Sequence, residues 1–411
     1  MERVIFHVDV NSAFLSWEAA YRLYHRGEAV DLRELPSAVG GDASQGKGIV
    51  IARSIPAGRL GIQTGEPVAS ARRKCRSLIL VPPDYSLYLK ASRALFRLLG
   101  DYTDQVEPYS IDEAFLDMTG MGEGEGWQHQ AAVQIGQRIR RELGFTVNIG
   151  ISSNWVLAKM ASDLRKPDQI HTLWPWEIRR KMWPLPVRRL FFAGPAAERK
   201  LKGLGIGTIG QLAVFPAEVL EGHLHSQGRL LWHFANGRDF PQMFAPPRQT
   251  KSIGNSLTLP FAAENREQAA LALLSLAETV GARLRAGGWK AGYVEVGLKD
   301  RQFFSWSRRS PFKEPTDLTA ELYQGALSCL DRMWEGAPLR GLSVRAGTAG
   351  QNGGSQGRLF DWEAQEKRRR AQEAVDSLRK RFGPDCVMRA GFAGTGRERA
   401  GISHMGGGPG A

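Results

Sequence analysis

The chain has 411 residues, 42% of them hydrophobic, and at about 100–200 residues per domain it is expected to form roughly two to four domains. Its 55 Lys and Arg residues outnumber its 42 Asp and Glu residues, and the formal net charge of +13 favours an anionic partner, either nucleic acid or an acidic membrane surface. The 3 cysteines form no CxxC pair, which argues against a disulfide framework or structural zinc site, and no apolar run reaches the roughly 18 residues of a membrane span, so we expect a cytoplasmic protein.

The first 170 residues alternate between strand-like and helix-like patterns. Residues 3–10 are apolar and β-branched, which is typical of a buried strand and not of a signal peptide. The elements predicted after this strand are a helix at 11–26, a strand at 49–52, a helix at 84–100, a strand-turn-strand at 106–118, a helix at 129–143, a strand at 146–151 and a helix at 154–164. This alternation predicts one α/β unit built around a central sheet.

The rest of the chain changes character twice. Residues 174–240 have a helical pattern with short Gly-bearing turns, and a Pro-rich hinge follows at 241–247. Residues 251–348 return to a mixed pattern, with a helix at 265–286 and an alternating strand at 293–299. Beyond Gly347 we expect a linker, a charged helix at about 362–382 and a disordered Gly-rich stretch at 391–411.

Three acidic residues stand in strand-like, apolar surroundings. Asp9 lies at the end of the first predicted strand, and Asp112 and Glu113 lie at the turn of the 106–118 segment. Acids in such surroundings are costly to bury unless they bind a cation, and Mg²⁺ prefers a few carboxylates together with substrate phosphates. Taken singly, each acid is more often a solvent contact at a strand end. Their joint pattern favours a metal site for phosphoryl transfer.

Three segments resemble the signature motifs of one enzyme family. They are Val8–Phe14 (VDVNSAF), Tyr109–Asp117 (YSIDEAFLD) and Gly150–Pro167 (GISSNWVLAKMASDLRKP). In the order and spacing of its motifs, from residue 3 to about residue 345, the chain resembles the Y-family translesion DNA polymerases of the DNA polymerase IV (DinB-type) branch. The resemblance implies a low-fidelity, DNA-templated DNA polymerase that acts in DNA repair and damage tolerance.

The resemblance also implies the architecture, an α+β multidomain fold shaped as a right-hand polymerase. We expect a monomer with five parts: a palm at 1–14 and 81–170, small fingers at 15–80, a helical thumb with a helix–hairpin–helix motif at 171–240, an α/β little finger at 248–348, and a segment at 349–411 with a linker, a clamp-binding peptide, a charged helix and a disordered tail.

Roles for single residues follow from the same resemblance. Asp9 and Asp112 would bridge two Mg²⁺ ions, and Glu113 would complete the site of the ion that activates the primer 3′-hydroxyl. The backbone carbonyl of Val10 would be a further metal ligand. Lys159 would reach the triphosphate of the nucleotide, although a helix lysine without this motif is more often solvated.

Phe14 lies five residues beyond Asp9, where the family has an aromatic steric gate. Its ring would collide with a ribose 2′-hydroxyl and thereby select deoxynucleotides. Its helical spacing is also that of a core aromatic residue, and Phe14 can have both roles.

Residues 54–59 (SIPAGR) depart from the family pattern. Ile55 and Gly58 stand where the family has a Tyr and an Arg that hold the triphosphate. We predict that Arg59 binds the nucleotide instead, with Arg53 and Lys47 as further candidates. The departure also keeps a second function open, a catalytically weak paralogue that binds primer–template DNA or the sliding clamp and regulates another polymerase.

Two other classes of protein fit the sequence less well. Gly41–Lys47 matches the start of a phosphate-binding loop, G-x-x-x-x-G-K. However, Gly48 follows where Ser or Thr is needed to hold Mg²⁺, and the loop precedes a predicted strand, whereas a true phosphate-binding loop precedes a helix. An ATPase or kinase is therefore disfavoured. A membrane-surface protein is disfavoured because no segment pairs a basic face with a large apolar one.

Two regions carry DNA-binding patterns. Residues 190–201 (LFFAGPAAERKL) resemble a helix–hairpin–helix turn, in which N–H groups at Gly194 would meet a DNA phosphate, and Phe192 replaces the usual first Gly. In the little finger, the basic residues that would contact phosphates without sequence preference are Lys251, Lys290, Lys299, Arg301, Arg308 and Arg309. Taken singly, each of these is more often a solvated surface group.

Gln356–Phe360 (QGRLF) resembles the Q-L-x-L-F peptide by which bacterial polymerases bind the sliding clamp. Gln356, Leu359 and Phe360 would make the contacts, and Gly357 replaces a Leu. The Gly/Ser-rich segment that precedes these residues is typical of a flexible tether for a linear motif. The alternative is a linker that merely ends in Leu-Phe.

Overall fold

The computed structural model describes residues 3–41, 48–239, 250–348, 362–383 and 386–392. The chain divides into two compact units, Met1–Ala245 and Pro246–Ala411. The predicted Pro-rich hinge, the linker and all of the Gly-rich end except residues 391–392 lie outside the described residues, as does most of the Gly41–Lys47 loop. In the described ranges, none of the helices combines the length and the hydropathy that crossing a bilayer requires.

The first unit begins with alternating strands and helices and ends in helices. Its strands are β1 (Ile5–Val10), β2 (Ser37–Gly40), β3 (Val50–Arg53), β4 (Ile79–Val81), β5 (Val106–Pro108), β6 (Glu113–Asp117), β7 (Val147–Ser152) and β8 (Ile170–Thr172). Its α-helices are α1 (Ala13–His25), α2 (Ile55–Arg59), α3 (Val68–Lys74), α4 (Tyr85–Leu99), α5 (Trp127–Leu143), α6 (Trp155–Ser162), α7 (Ile178–Lys181), α8 (Pro195–Gly203), α9 (Ile209–Val214), α10 (Ala217–Leu224) and α11 (Ser226–Ala235).

A five-stranded sheet in the order β5-β6-β1-β7-β8 carries the acidic residues. All of its pairings are antiparallel except β7 with β8. β1 and β7 are buried along their whole length, because α1, α4 and α5 contribute to the apolar core on one face and α6 packs on the other. Gly150 of β7 allows this close packing, since a Cβ there would overlap the carbonyl oxygen of Ala158 in α6.

Helix α1 begins at Ala13, slightly later than the predicted start at Asn11. Ser12 is left-handed, with φ 48° and ψ 51°, so it turns the chain out of β1 before the helix can begin. The turn is tied to the sheet, because the Asn11 N–H donates to the carbonyl oxygen of Thr146 at 3.0 Å. The short connection therefore holds Asp9 and Phe14 on one rigid segment.

A smaller sheet in the order β3-β2-β4 follows α1 in the chain. β2 pairs antiparallel with β3 and parallel with β4, and α2 and α3 complete a separate small core. Ala52 of β3 joins the larger core together with Val10 and Ala13, so this sheet is packed on the segment that follows Asp9.

The second unit is a four-stranded antiparallel sheet covered by helices. Its strands are β9 (Ser252–Ala263), β10 (Ala291–Asp300), β11 (Ser305–Thr316) and β12 (Leu339–Thr348), in the order β11-β10-β12-β9. Its helices are α12 (Arg266–Ala286), α13 (Thr319–Met333) and α14 (Trp362–Phe382). The predicted charged helix corresponds to α14, which is joined to α12 by a two-pronged ion pair of Arg285 with Asp376, at 2.6 and 3.1 Å.

Candidate active site

The structure brings the three predicted acids together at one edge of the five-stranded sheet. Asp9 and Glu113 are directly opposite each other on β1 and β6. The Val10 N–H donates to the carbonyl oxygen of Asp112 at 3.1 Å, which fixes the turn before β6 against the end of β1. Residues far apart in the sequence therefore present their carboxylates from neighbouring strand ends.

Two lysines lie among these acids. The Lys159 ammonium on α6 is 3.1 Å from both Asp9 Oδ2 and Glu113 Oε2. Lys166 reaches the same Asp9 oxygen at 3.0 Å, and both lysines contact Asp163. Burial acts to lower the pKa of Lys159, but the three carboxylates outweigh it, so its pKa lies above the ordinary value and it stays charged.

The Asp112 carboxylate faces Ser110, whose hydroxyl donates to it at 2.6 Å. Burial raises the pKa of Asp112 above its ordinary value, and the negative charges of Glu113 and Asp9 raise it further against the opposing bond from Ser110. Among the described residues, no Lys or Arg forms an ion pair with Asp112. A divalent cation at this edge would relieve the repulsion among the three acids.

The residues at this edge fit a magnesium site in their donor chemistry. They offer hard carboxylate oxygens on neighbouring strands, and a lysine ammonium already spans two of them. Across the described ranges, no three His, Cys, Asp or Glu side chains stand together as a ready-made metal cage. Asp112 is turned towards Ser110, and Lys159 fills the space between Asp9 and Glu113.

A buried histidine supports this edge from inside the sheet. His7 is fully buried, its Nδ1 is 2.8 Å from Ser162 Oγ, and its Nε2 is 3.3 Å from Glu113 Oε2. Burial, aided by the nearby Lys159 charge, lowers the pKa of His7 to about 3, so the ring is neutral. Neither His7 nor Lys166 was predicted as a site residue. Lys166 stands in the Gly150–Pro167 motif, four residues beyond the end of α6, and only the structure shows that it reaches Asp9.

Phe14 is partly buried against an aromatic cluster. Its ring centroid lies 4.8 Å from that of Tyr88 and 5.8 Å from that of Trp17. The ring also meets Tyr85 edge-on. The structure therefore gives Phe14 the packing expected of a core aromatic while leaving the residue partly exposed.

The other predicted nucleotide contact, Arg59, is exposed at the last residue of α2. Ile55 is also exposed, at 47%, and Lys47 lies outside the described residues. Arg59 forms no ion pair with a described carboxylate, and its role in nucleotide binding stays a prediction.

Residues 190–194 form the turn that leads into α8, and their assignment as a helix–hairpin–helix turn stays a prediction. Phe192 has φ 67°, the left-handed conformation that favours the glycine it replaces, and Gly194 caps the start of α8. The Phe192 ring is 4.5 Å from Phe191 and 6.1 Å from Phe234, measured between centroids. The left-handed conformation costs about 1–2 kcal/mol for a residue other than glycine, and Phe192 adopts it while 47% exposed.

The basic residues of the second unit do not share one surface. Arg309 is opposite Glu295, Arg308 is opposite buried Val296, and neighbours along a strand point to opposite faces. Glu295 forms ion pairs with Arg309 and Arg345 on the sheet face opposite to that of Val296. Lys299, which follows Glu295 by four residues, lies on the same face as Glu295.

The remaining predicted DNA contacts are scattered. Lys251 is exposed just before β9, Lys290 is half-buried between α12 and β10, and Arg301 pairs with Glu264 at 3.1 Å. The predicted clamp contacts Gln356, Leu359 and Phe360 lie outside the described residues.

Comparison with known proteins decides the family. Residues 8–163 match the impB/mucB/samB family, and residues 250–359 match the impB/mucB/samB family C-terminal domain. DNA polymerase IV of Clostridium acetobutylicum is 39% identical over 390 residues, covering 95% of this chain and 98% of that protein. DNA polymerase IV of Acetivibrio thermocellus is 36% identical, covering 95% of this chain and 97% of that protein.

The chain belongs to the DNA polymerase IV branch of the Y-family DNA polymerases. A solved Y-family DNA polymerase chimera of Dbh and Dpo4 has the same fold, with a TM-score of 0.70, 22% identity and coverage of 84% of this chain and 98% of that one. The predicted fold class, an α+β right-hand polymerase, is therefore confirmed. The polymerase is a DNA-directed enzyme of the translesion type, and the alternative of a non-catalytic regulator is not favoured.

Proposed function

We propose that this polymerase adds deoxynucleotides to a primer 3′-hydroxyl with two Mg²⁺ ions held by Asp9, Asp112 and Glu113. The observation that carries the proposal is the pairing of Asp9 with Glu113 across β1 and β6, beside the backbone of Asp112. The family uses divalent metal ions. A pair of them would activate the attacking 3′-hydroxyl and neutralise charge on the leaving pyrophosphate.

The chain's own residues would then divide the work. Asp9 and Asp112 would bridge the two ions, Glu113 would complete the site on the primer side, and the Val10 carbonyl would add a ligand. Lys159 neutralises Asp9 and Glu113 in the free protein. Released from them, its ammonium would offset charge on the triphosphate. Lys166 would hold Asp9 and Asp163 in place throughout.

The domain assignment is part of this proposal. The palm would comprise 1–14 and 81–170, the fingers 15–80, the thumb 171–240 and the little finger 248–348. Separate apolar cores support this division, since 38–80, 156–235 and 257–346 each contain one. DNA phosphates would meet the N–H groups at Gly194 and the basic residues of the little finger. We also propose that the enzyme acts as a monomer in the cytoplasm, where its free cysteines stay reduced.

A primer-extension assay tests the proposed reaction. The purified chain is expected to extend a primer on a DNA template with Mg²⁺ and a matching deoxynucleotide, and chelation of the metal by EDTA should stop extension. Binding of the primer–template without extension would contradict the proposal and favour the regulatory alternative. Electrophoretic mobility shifts, measured on the same DNA, distinguish that outcome from a failure to bind.

Clamp binding gives a separate prediction. A peptide of residues 350–365 is expected to bind the sliding clamp, and Leu359→Ala or Phe360→Ala should each weaken binding about tenfold, since a buried apolar anchor contributes about 1.5–3 kcal/mol. Gly357→Leu is the matched variant that should tighten binding by restoring an apolar contact. Fluorescence anisotropy of the labelled peptide provides the measurement. No binding by the wild-type or the Gly357→Leu peptide would contradict the prediction.

A further inference from the structure

The guanidinium of Arg53 occupies the space that Gly58 leaves open. A Cβ built on Gly58 would overlap Nη1 of Arg53 and lie 2.7 Å from Cζ and 3.3 Å from Nη2. Gly58 lies inside helix α2, and its φ is not positive. What glycine provides at this position is therefore room for the arginine, not backbone freedom.

The turn between Arg53 and Gly58 is held rigidly by Ser54. Ser54 is 2% exposed, and its hydroxyl donates to the carbonyl oxygen of Leu35 at 2.7 Å and accepts from the Ala57 N–H at 3.0 Å. The Gly58 N–H donates to the Ser54 carbonyl oxygen, also at 3.0 Å. The strand that carries Arg53 and the helix that carries Gly58 are thus fixed relative to each other, which sets the arginine stem over the glycine.

Arg53 has no carboxylate partner in the part of the chain that the structure describes. It is half-buried at the end of β3, and no ion pair or hydrogen bond joins its guanidinium to another described side chain. With no described carboxylate beside it, this guanidinium can present its N–H fork to an anion, and phosphate matches that fork in charge and geometry.

The strand of Arg53 adjoins the segment that leaves the proposed metal site. Ala52, next to Arg53, is buried in the same core as Val10 and Ala13, the residues on either side of the turn after Asp9. The sheet that carries Arg53 is therefore packed on that turn, and an anion that binds Arg53 would be held by this sheet. Position 58 is also where the resemblance to the family puts an arginine that holds the triphosphate.

We propose that Arg53 binds the triphosphate of the incoming nucleotide from above Gly58, so that β3 supplies the cation that position 58 lacks. This inference rests on the proposed function. It makes Arg53, and not the exposed Arg59, the principal replacement for the missing arginine. Gly58 then serves specificity indirectly, since any larger residue there would push the guanidinium aside.

Single-turnover incorporation by four variants tests the proposal, with the apparent Kd of the nucleotide, the maximal rate and the Kd of primer–template DNA measured for each. Arg53→Ala is expected to raise the nucleotide Kd about tenfold to a hundredfold, the loss of a charge-assisted bond, and to leave the DNA Kd unchanged. Gly58→Ala should also raise the nucleotide Kd, because the new Cβ would displace the guanidinium of Arg53. The clash is with the flexible end of a side chain, so this variant can still fold. The double variant Arg53→Ala, Gly58→Arg should recover most of the lost affinity.

Arg72→Ala is the matched control. Arg72 is an exposed arginine on α3, packed on the same small sheet, so its loss removes the same charge from the same part of the protein. Its nucleotide Kd should equal that of the wild type. The nucleoside diphosphate gives a second readout: Arg53→Ala should weaken binding of the triphosphate more than that of the diphosphate, both measured on a complex with a dideoxy-terminated primer.

A nucleotide Kd for Arg53→Ala equal to that of Arg72→Ala overturns the proposal. If Arg53→Ala does not fold, as judged by circular dichroism, Arg53→Gln and Gly58→Ala decide it by the same criterion. Failure of the wild type to extend a primer would instead overturn the proposed function. In that case binding of the triphosphate to the terminated-primer complex still shows whether Arg53 holds it.

Discussion

Replacing Asp112 with Ala is expected to abolish nucleotide incorporation while primer–template binding is retained. The substitution removes one of the three carboxylates at the sheet edge, and the ions they would hold would lose a shared ligand. A loss of about 4 kcal/mol of transition-state stabilisation corresponds to about a thousandfold lower rate. Single-turnover incorporation gives the rate, and DNA affinity is measured separately by fluorescence anisotropy. Extension at the wild-type rate by this variant would refute the proposed metal site.

Two further variants separate charge from structure. Asp112→Asn keeps an oxygen that can accept from Ser110, so it should fold like the wild type and still fail to incorporate. Asp117→Asn changes an acid at the other end of β6 that pairs with Arg3, and it should remain active. Because Asp112 lies among like charges, the free Asp112→Asn protein should melt at or above the wild-type temperature. A lower melting temperature would mean that the Asp112 carboxylate stabilises the fold, and would argue against a role in binding a cation.

The identity of the acids was predictable from the sequence, but their geometry was not. Asp9 stands in a recognisable strand, and Asp112 and Glu113 stand in a recognisable turn, so both elements could be predicted from local pattern. Which strands pair, and in which register, depends on contacts between distant segments, so the opposition of Asp9 and Glu113 needed the structure. Lys166 lies four residues beyond the end of α6, and its contact with Asp9 likewise joins segments that are distant in the sequence.

Departures from the family pattern were the hardest features to interpret from sequence. Phe192 replaces a glycine of the family pattern, yet it adopts the left-handed backbone conformation, and its ring contacts those of Phe191 and Phe234. The glycine at 58 predicts a missing cation, yet Arg53 fills that space. Neither the backbone conformation of Phe192 nor the position of Arg53 over Gly58 can be detected by pattern matching at single positions.

Replacing Phe14 with Ala is expected to remove most of the discrimination against ribonucleotides. The ring rests on Tyr88 and Trp17, which hold it in one orientation, so it cannot move away from a 2′-hydroxyl without disturbing a packed cluster. Overpacking of this kind costs about 1–3 kcal/mol, so the ratio of deoxynucleotide to ribonucleotide incorporation should fall by on the order of a hundredfold.

The ratio of the two incorporation efficiencies separates a gate from a core residue. Loss of packing around Phe14 would disturb the site for both sugars and lower both efficiencies together, whereas loss of a gate raises ribonucleotide incorporation selectively. Phe14→Tyr is the matched control, since it keeps the ring and should keep the discrimination. Measured as kcat/KM for a matched pair of nucleotides, an unchanged ratio in Phe14→Ala would show that Phe14 only fills the core. Its contacts with Tyr88 and Trp17 would then be its whole function, and sugar selection would have to come from another residue beside the acidic edge.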